Sequence, residues 1–362
     1  MRSSRQRRRI LFAVVAVAVT AATFAVVLPR IASYGSVWRA ASHLSWPWIA
    51  GLCAATVLNI LTFPLPWTVL LPELRYWRAV LLMQASTAVT LVLPGGSALG
   101  MGASHAILRS AGVRSADSGR AVAASGLWNQ LSTFLFPLLA AAWLAVGGAA
   151  STPVVRIALI GGVLFIVLAG SAVAVVARPA IAVSASALVA RVVSRLPIVG
   201  RRARPLNRDS VEVFRRDTIS LLRRRWAALT LATAVNQLTG WVVLELSLRA
   251  VGVSTAQVSV GASFAAWSLG RLLASLPLTP GGVGFVELGL TGTLIGFGGP
   301  SAEVVAAVLI YRFLSVAPVL LVGGAGALLL GQPAAGQAAD ELPEPSTSAS
   351  ADAATVIRKV PG

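Results

Sequence analysis

Charge is the scarcest ingredient of this sequence. Only 12% of its 362 residues are Asp, Glu, Lys or Arg, where a soluble domain carries about a quarter. A water-soluble chain of this length would form roughly two or three domains, but these apolar runs are too long and too frequent for that. Acid is rarest: 12 Asp and Glu stand against 30 Lys and Arg, and nearly all of the latter are Arg. There is one cysteine, Cys53, inside an apolar run. A single thiol excludes an intramolecular disulfide and a Cys-based metal cluster. A Walker lysine, HExxH, GxSxG and the kinase motifs are missing too, so no ATP-driven or hydrolytic mechanism is expected within the chain. Neither enzymatic activity nor a cofactor or metal is expected.

What is present is hydrocarbon. The sequence is 56% hydrophobic with a mean hydropathy of +0.80. A helix needs about 20 apolar residues to cross the bilayer core. By that measure spans are expected near 10–28, 48–71, 77–93, 120–146, 154–177, 227–248, 257–276 and 303–330. The fold class is therefore all-α, a polytopic transmembrane helix bundle of about eight full spans. The basic residues sit mainly in Arg2 to Arg9 and Arg178 to Arg225, each beside apolar spans. That is the positive-inside bias rather than a nucleic-acid footprint, and no nucleic-acid partner is expected. The apolar run after Arg9 is longer than a signal-peptide core of roughly 7–15 residues and is followed by Pro29-Arg30-Ile31. It reads as an uncleaved first span with a cytoplasmic N-terminus.

Trp46, Trp48, Trp67, Trp77 and Trp226 fall near span ends, where indole favours the interface. In the polar segment 178–226, Val211, Phe214, Thr218, Leu221 and Leu222 share a helical face ringed by arginines. It reads as an amphipathic helix on an anionic leaflet or as an ordinary orienting loop. Residues 331–362 are rich in Ala, Pro, Ser, Asp and Glu without helical period, and are expected to be a disordered tail. The expected domain organisation is thus a membrane domain at 1–330 followed by that tail, with a cytoplasmic C-terminus.

Two internal matches point to a repeat. Residues 55–62 (ATVLNILT) resemble 232–239 (ATAVNQLT), and Pro94-Gly95-Gly96 matches Pro280-Gly281-Gly282. Extending the second match without gaps sets Gly112 on Gly298 and Ser115-Ala116-Asp117 on Ser301-Ala302-Glu303. The segments 97–113 and 283–299 that follow are short and Gly-interrupted, with polar groups at membrane depth. Pro and Gly break continuous helix, and exposed backbone must be buried in protein or line a wet cavity. Paired broken or re-entrant segments in two halves point to a transporter binding site. Five spans before residue 178 would put the two arginine-rich stretches on opposite sides. A crossing by the first broken segment restores an even count and makes the repeats inverted.

Few ionisable residues lie in the spans, where a charge costs about 2.5–3.5 kcal/mol on insertion scales. Glu245, Arg271, Glu287 and Arg312 stand out. Glu287 and Arg312 are expected to face one cavity, pairing with each other or with a charged lipid head group. A structural ion pair is the competing reading. Arg suits phosphate through its bidentate fork, and helix N-termini after each Pro-Gly-Gly add amides suited to an anion. Asn59, Asn129, Gln130, Asn236 and Gln237 read as interhelical hydrogen-bond partners, and His105 as structural. Gly282-Val283-Gly284 follows no soluble strand, so it is not a nucleotide loop.

The segment Leu276 to Glu287 (LPLTPGGVGFVE) and Ile310-Tyr311-Arg312 resemble the transmembrane region of lysylphosphatidylglycerol synthase, a flippase-like membrane family. Leu93-Pro94-Gly95-Gly96 corresponds to that family's first Pro/Gly motif in degenerate form, with Met101 opposite Glu287. The resemblance implies movement of a charged or glycosylated lipid across the membrane, such as aminoacylated phosphatidylglycerol. It places substrate-binding groups at Pro94, Gly95, Gly96, Pro280, Gly281, Gly282, Gly284, Glu287, Tyr311 and Arg312. Synthase members carry a large soluble domain after the membrane part. Only the short tail follows residue 330 here, so lipid aminoacylation is not expected. The expected protein is a plasma-membrane translocase whose partners are membrane lipids with anionic or zwitterionic head groups. A non-transporting scaffold for a cell-envelope glycosyltransferase or lipid-modifying enzyme, a membrane-embedded lipid transferase and a small-solute transporter fit the same residues. Homo-oligomerisation is open in all of them.

Overall fold

In hydrocarbon every backbone N–H and C=O must find a partner within the chain, and uninterrupted apolar sequence meets that demand as α-helix. The computed structural model describes residues 44–92, 96–147, 152–178, 208–275, 282 and 284–330, with isolated positions 42, 181 and 184. No strand occurs among the described residues. The expected first span at 10–28, Pro94–Gly95, Pro280–Gly281, most of 178–207 and the tail lie outside them. The helices are α1 (Trp46–Thr62), α2 (Leu65–Leu70), α3 (Tyr76–Val92), α4 (Gly96–Ser110) and α5 (Ser115–Val146). They continue with α6 (Thr152–Ala177), α7 (Arg208–Ala250), α8 (Val260–Ser275), α9 (Phe285–Gly296) and α10 (Ser301–Leu330).

Among the described residues four helical stretches are long and apolar enough to cross a membrane: Trp46–Leu70, Ser115–Val146, Glu212–Ala250 and Ser301–Gly326. The first is α1 and α2 together, bent at the Phe63–Pro64 turn. At 1.5 Å per residue α3 and α8 extend only about 25 and 24 Å, and α4 and α9 about 22 and 18 Å. All four fall short of the roughly 30 Å hydrocarbon core. One expected boundary does not occur. The amphipathic stretch before Trp226 and the span after it form one 43-residue helix, α7. No Pro or Gly interrupts it before Gly240, so nothing breaks the hydrogen-bond ladder where the charge pattern changes.

The basic part of α7 marks one end of the bundle. Asp217 bonds Arg120 at the start of α5, and Arg225 Nη1 donates to the Val69 carbonyl of α2 at 2.6 Å. The α2–α3 and α4–α5 turns line one crevice there, with Arg75, Arg78 and Arg114. At the opposite end Gly298, between α9 and α10, lies against the Gln257 carbonyl before α8. Gly261 of α8 packs there on Trp143 and Leu144 near the end of α5. Thus α3 leaves the basic end and α4 returns to it, whereas α8 leaves the opposite end and α9 returns to that one.

Each of these helix pairs is held by the long helix of the other half. Antiparallel to α8, α5 sets Phe136 against Trp267 and Phe264 and Asn129 against Arg271. Antiparallel to α3, α10 brings Gly323 onto Gln84 and Ala88, and Gly326 onto Leu81. A Cβ on Gly323 would collide with the Gln84 carbonyl oxygen. Absence of a side chain is what lets these backbones touch, the usual device of helix packing in lipid.

The turns ending α4 and α9 are built alike. Val113 and Gly112 donate their amides to Leu108 and Arg109; Gly299 and Gly298 donate theirs to Leu294 and Ile295. The glycines have φ of 88° and 104°, the left-handed conformation that closes a helix without a Cβ penalty. All four bonds correspond in the register that aligns Pro94 with Pro280. The other matching segments meet directly: Asn59 Nδ2 of α1 donates to the Asn236 carbonyl of α7 at 3.3 Å and to Thr239 Oγ1 at 3.0 Å. Apolar residues left outside these contacts, including Leu159, Ile160, Ile166 and Val167 of α6, are exposed, as a lipid-facing surface requires.

Candidate functional site

The second Pro-Gly-Gly leads into α9 through Gly282 and Gly284, both with positive φ, 69° and 86°. Gly284 is the N-cap of α9. Glu287, one turn in, turns back so that Oε2 accepts the Gly284 amide at 2.7 Å. Its Oε1 accepts Arg312 Nε of α10 at 2.5 Å. Both side chains are buried. The carboxylate therefore caps its own helix and ties α9 to α10 at once. Tyr311 packs against the neighbouring apolar core. Of the expected site residues, the structure brings Gly284, Glu287 and Arg312 into bonded contact and sets Gly282 between Ala274 of α8 and Val286 of α9.

The other half differs at the equivalent place. In the same register Met101 of α4 stands where Glu287 stands, and Gly126 of α5 stands where Arg312 stands. A Cβ on Gly126 would lie 3.5 Å from Met101 Sδ, so the two positions face each other as the acid and base do. With no ion pair to fill it, the space is a cavity of about 380 Å³ walled by α2–α7 and by Phe63 in the turn before α2. Its polar lining includes Thr87, Thr90, Ser125, Gln130 and Asn236. Gly96 begins the helix whose Gly100, Met101 and Ser104 form one wall.

Above this cavity a polar cluster joins α5, α7 and α8. Asn129 Oδ1 accepts Gln237 Nε2 at 2.6 Å and Arg271 Nη2 at 3.0 Å; Thr133 Oγ1 lies 3.3 Å from the same Arg271 nitrogen. The guanidinium stacks over Trp267 at 5.9 Å. Thr133, Gly126 and the hydroxyl wall were not singled out by sequence. The usable signal was Asn129 and Thr133 at i, i+4 beside Gly126, which lies on the same helix face. Two further polar residues singled out in the sequence have structural partners. Glu245 bonds Arg249 and Ser263, and His105 Nδ1 meets Ser118 Oγ at 2.9 Å. No group of His, Cys, Asp and Glu among the described residues could hold a metal.

Residues 11–323 match the family described as the lysylphosphatidylglycerol synthase TM region. The chain belongs to that family. The match spans both broken segments, the ion pair and the cavity, so the described bundle up to residue 323 is this membrane region. The protein is a multi-pass membrane protein. Comparison with curated proteins found no match.

Proposed function

We propose that this member of the lysylphosphatidylglycerol synthase TM-region family translocates a phospholipid or lipid-linked substrate, with aminoacylated phosphatidylglycerol the first to test. Its two halves act as inverted repeats about an axis between Asn59 and Asn236. Contact between equivalent residues is what a two-fold relation produces, and helix pairs entering from opposite ends are what inversion requires. The basic end is cytoplasmic by the positive-inside bias, as are both termini, and the membrane is the plasma membrane. Because α3–α4 returns to the end it left, neither 77–93 nor 97–113 counts as a crossing, and the four other spans expected before residue 178 keep the arginine-rich stretches on one side.

The observation that carries the reading is the asymmetry between the halves. Alternating access needs one half closed while its counterpart is open. The Glu287–Arg312 pair fills the site behind α9, and Met101 with Gly126 leaves the matching site behind α4 as a polar cavity. A head group moving through that cavity would trade water for hydroxyls and amides, which lowers the desolvation penalty of burying it.

The test is a reconstituted vesicle carrying a fluorescent phosphatidylglycerol, with dithionite quenching only the outer leaflet. Faster loss of the protected inner-leaflet signal than in protein-free vesicles is expected. Unchanged protection for phosphatidylglycerol, its aminoacylated form and a polyprenyl phosphate would instead favour a scaffold for an envelope enzyme. One feature suits that alternative: both Glu287 oxygens are already bonded within the chain.

A further inference from the structure

Arg271 is a membrane-depth cation with no counter-ion among the described residues: no carboxylate of theirs lies within ion-pair distance of it. The acids nearest in depth are committed elsewhere, Glu245 to Arg249 and Glu287 to Arg312. Its Nε is buried with no hydrogen-bond partner. Nη2 reaches only the neutral acceptors Asn129 and Thr133. An arginine left so is costly in a low-dielectric site, and the cost is removed by an anion.

The surrounding groups say where that anion would sit. Asn129 receives two bonds from groups that can only donate there, so its Oδ1 is the atom facing Arg271 and Gln237. Its amide Nδ2 is consequently turned away from them, and Asn129 itself is exposed and lines the cavity. Thr233 of α7 lines the same cavity; it is 3% exposed and its Oγ1 has no partner. Asn129 and Thr233 thus offer two neutral donors to the cavity, and Asn129 also holds Arg271, which does not itself line it.

We infer that Arg271, Asn129 and Thr233 form a recognition site for a phosphate ester, with Arg271 supplying the charge and the other two the hydrogen bonds. The ligand is a phosphodiester or phosphomonoester anion, from a lipid head group or from free phosphate. This deepens the translocation reading and rests on it for the lipid source, but the binding site is tested without transport.

The purified full chain is titrated with three probes: dioctanoyl phosphatidylglycerol, dioctanoylglycerol and sodium phosphate, with affinity read by thermophoresis. Wild type is expected to prefer the phosphate-bearing lipid over the neutral one by about tenfold, the worth of a charge-assisted hydrogen bond. Arg271→Gln should erase that preference and Arg271→Lys retain part of it. Thr233→Val removes a hydroxyl that bonds nothing among the described residues, so it should fold normally and weaken only phosphate-bearing probes. Competition by sodium phosphate assigns the site to free phosphate; lipid preference without such competition assigns it to the lipid. Equal affinity for the two lipids in wild type, or an undiminished preference in both Arg271→Gln and Thr233→Val, overturns the inference. Absence of transport with these preferences intact would overturn the translocation reading alone.

Discussion

Glu287 holds Arg312 through one carboxylate oxygen and the Gly284 amide through the other. The acid is therefore a junction between a glycine turn, a short helix and a long one. Removing one partner of a buried pair leaves an unpaired charge and costs about 3–5 kcal/mol, while replacing both by apolar residues is often nearly neutral. Glu287→Gln should lower the thermal unfolding midpoint substantially, and Arg312→Met should do the same. Glu287→Leu with Arg312→Met should recover much of the loss, short of the bond to Gly284. Additive losses in the double substitution would show that the two side chains act separately.

The equivalence of Met101 with Glu287 and Gly126 with Arg312 makes a second prediction. Installing Met101→Glu together with Gly126→Arg should place an ion pair across the cavity and fill it. The chain should fold, because the same pair is tolerated in the other half, but translocation should fall to the protein-free level. Either substitution alone should destabilise, since each adds an uncompensated charge at membrane depth. Retained translocation in a folded double variant would show that the cavity is not the path.

These features differ in how far they can be read without the fold. Helices, turns and the Glu287–Arg312 pair are legible because each rests on a local signal: apolar runs, Gly112 and Gly298 past helix ends, or an acid one turn beyond Pro-Gly-Gly. The cavity is not, because it arises where Met101 and Gly126 fail to fill a space that only the packed halves define. Nor is the Arg271 cluster, whose bond to Asn129 joins residues 142 positions apart. The unbroken α7 is masked in sequence because its residues change from charged to apolar while the backbone pattern does not change.

Contact between the matching segments of α1 and α7 gives a third prediction. Thr62 Oγ1 lies 2.9 Å from Thr239 Oγ1, close enough that cysteines at both positions should be bridged. With Cys53→Ser removing the native thiol, Thr62→Cys/Thr239→Cys should form an intramolecular disulfide on mild oxidation, detected as a linked peptide by mass spectrometry. A disulfide requires Cα atoms closer than about 7 Å. Linkage only between two chains would mean that the two segments do not meet within one chain.

The proposed inverted relation of the halves makes the sharpest prediction, because it would set two alike turns on opposite faces of a membrane. Ser115 follows the Gly112 turn and Ser301 follows the Gly298 turn; both are exposed. Val213, exposed in the basic part of α7, reports the side of the arginine-rich end. In a Cys53→Ser background, Ser115→Cys and Val213→Cys should react with an impermeant maleimide only after the inner face is opened. Ser301→Cys should react in intact cells. The expectation follows from packing as well as charge: Arg120 and Asp217 bond each other, so the first turn and the arginine-rich end share one face. Gly298 lies against Gln257 at the other end, a bilayer away along α5 and α7. Labelling of Ser115→Cys from outside, with Val213→Cys inside, would break the bonded contact between α5 and α7 on which the inverted arrangement depends.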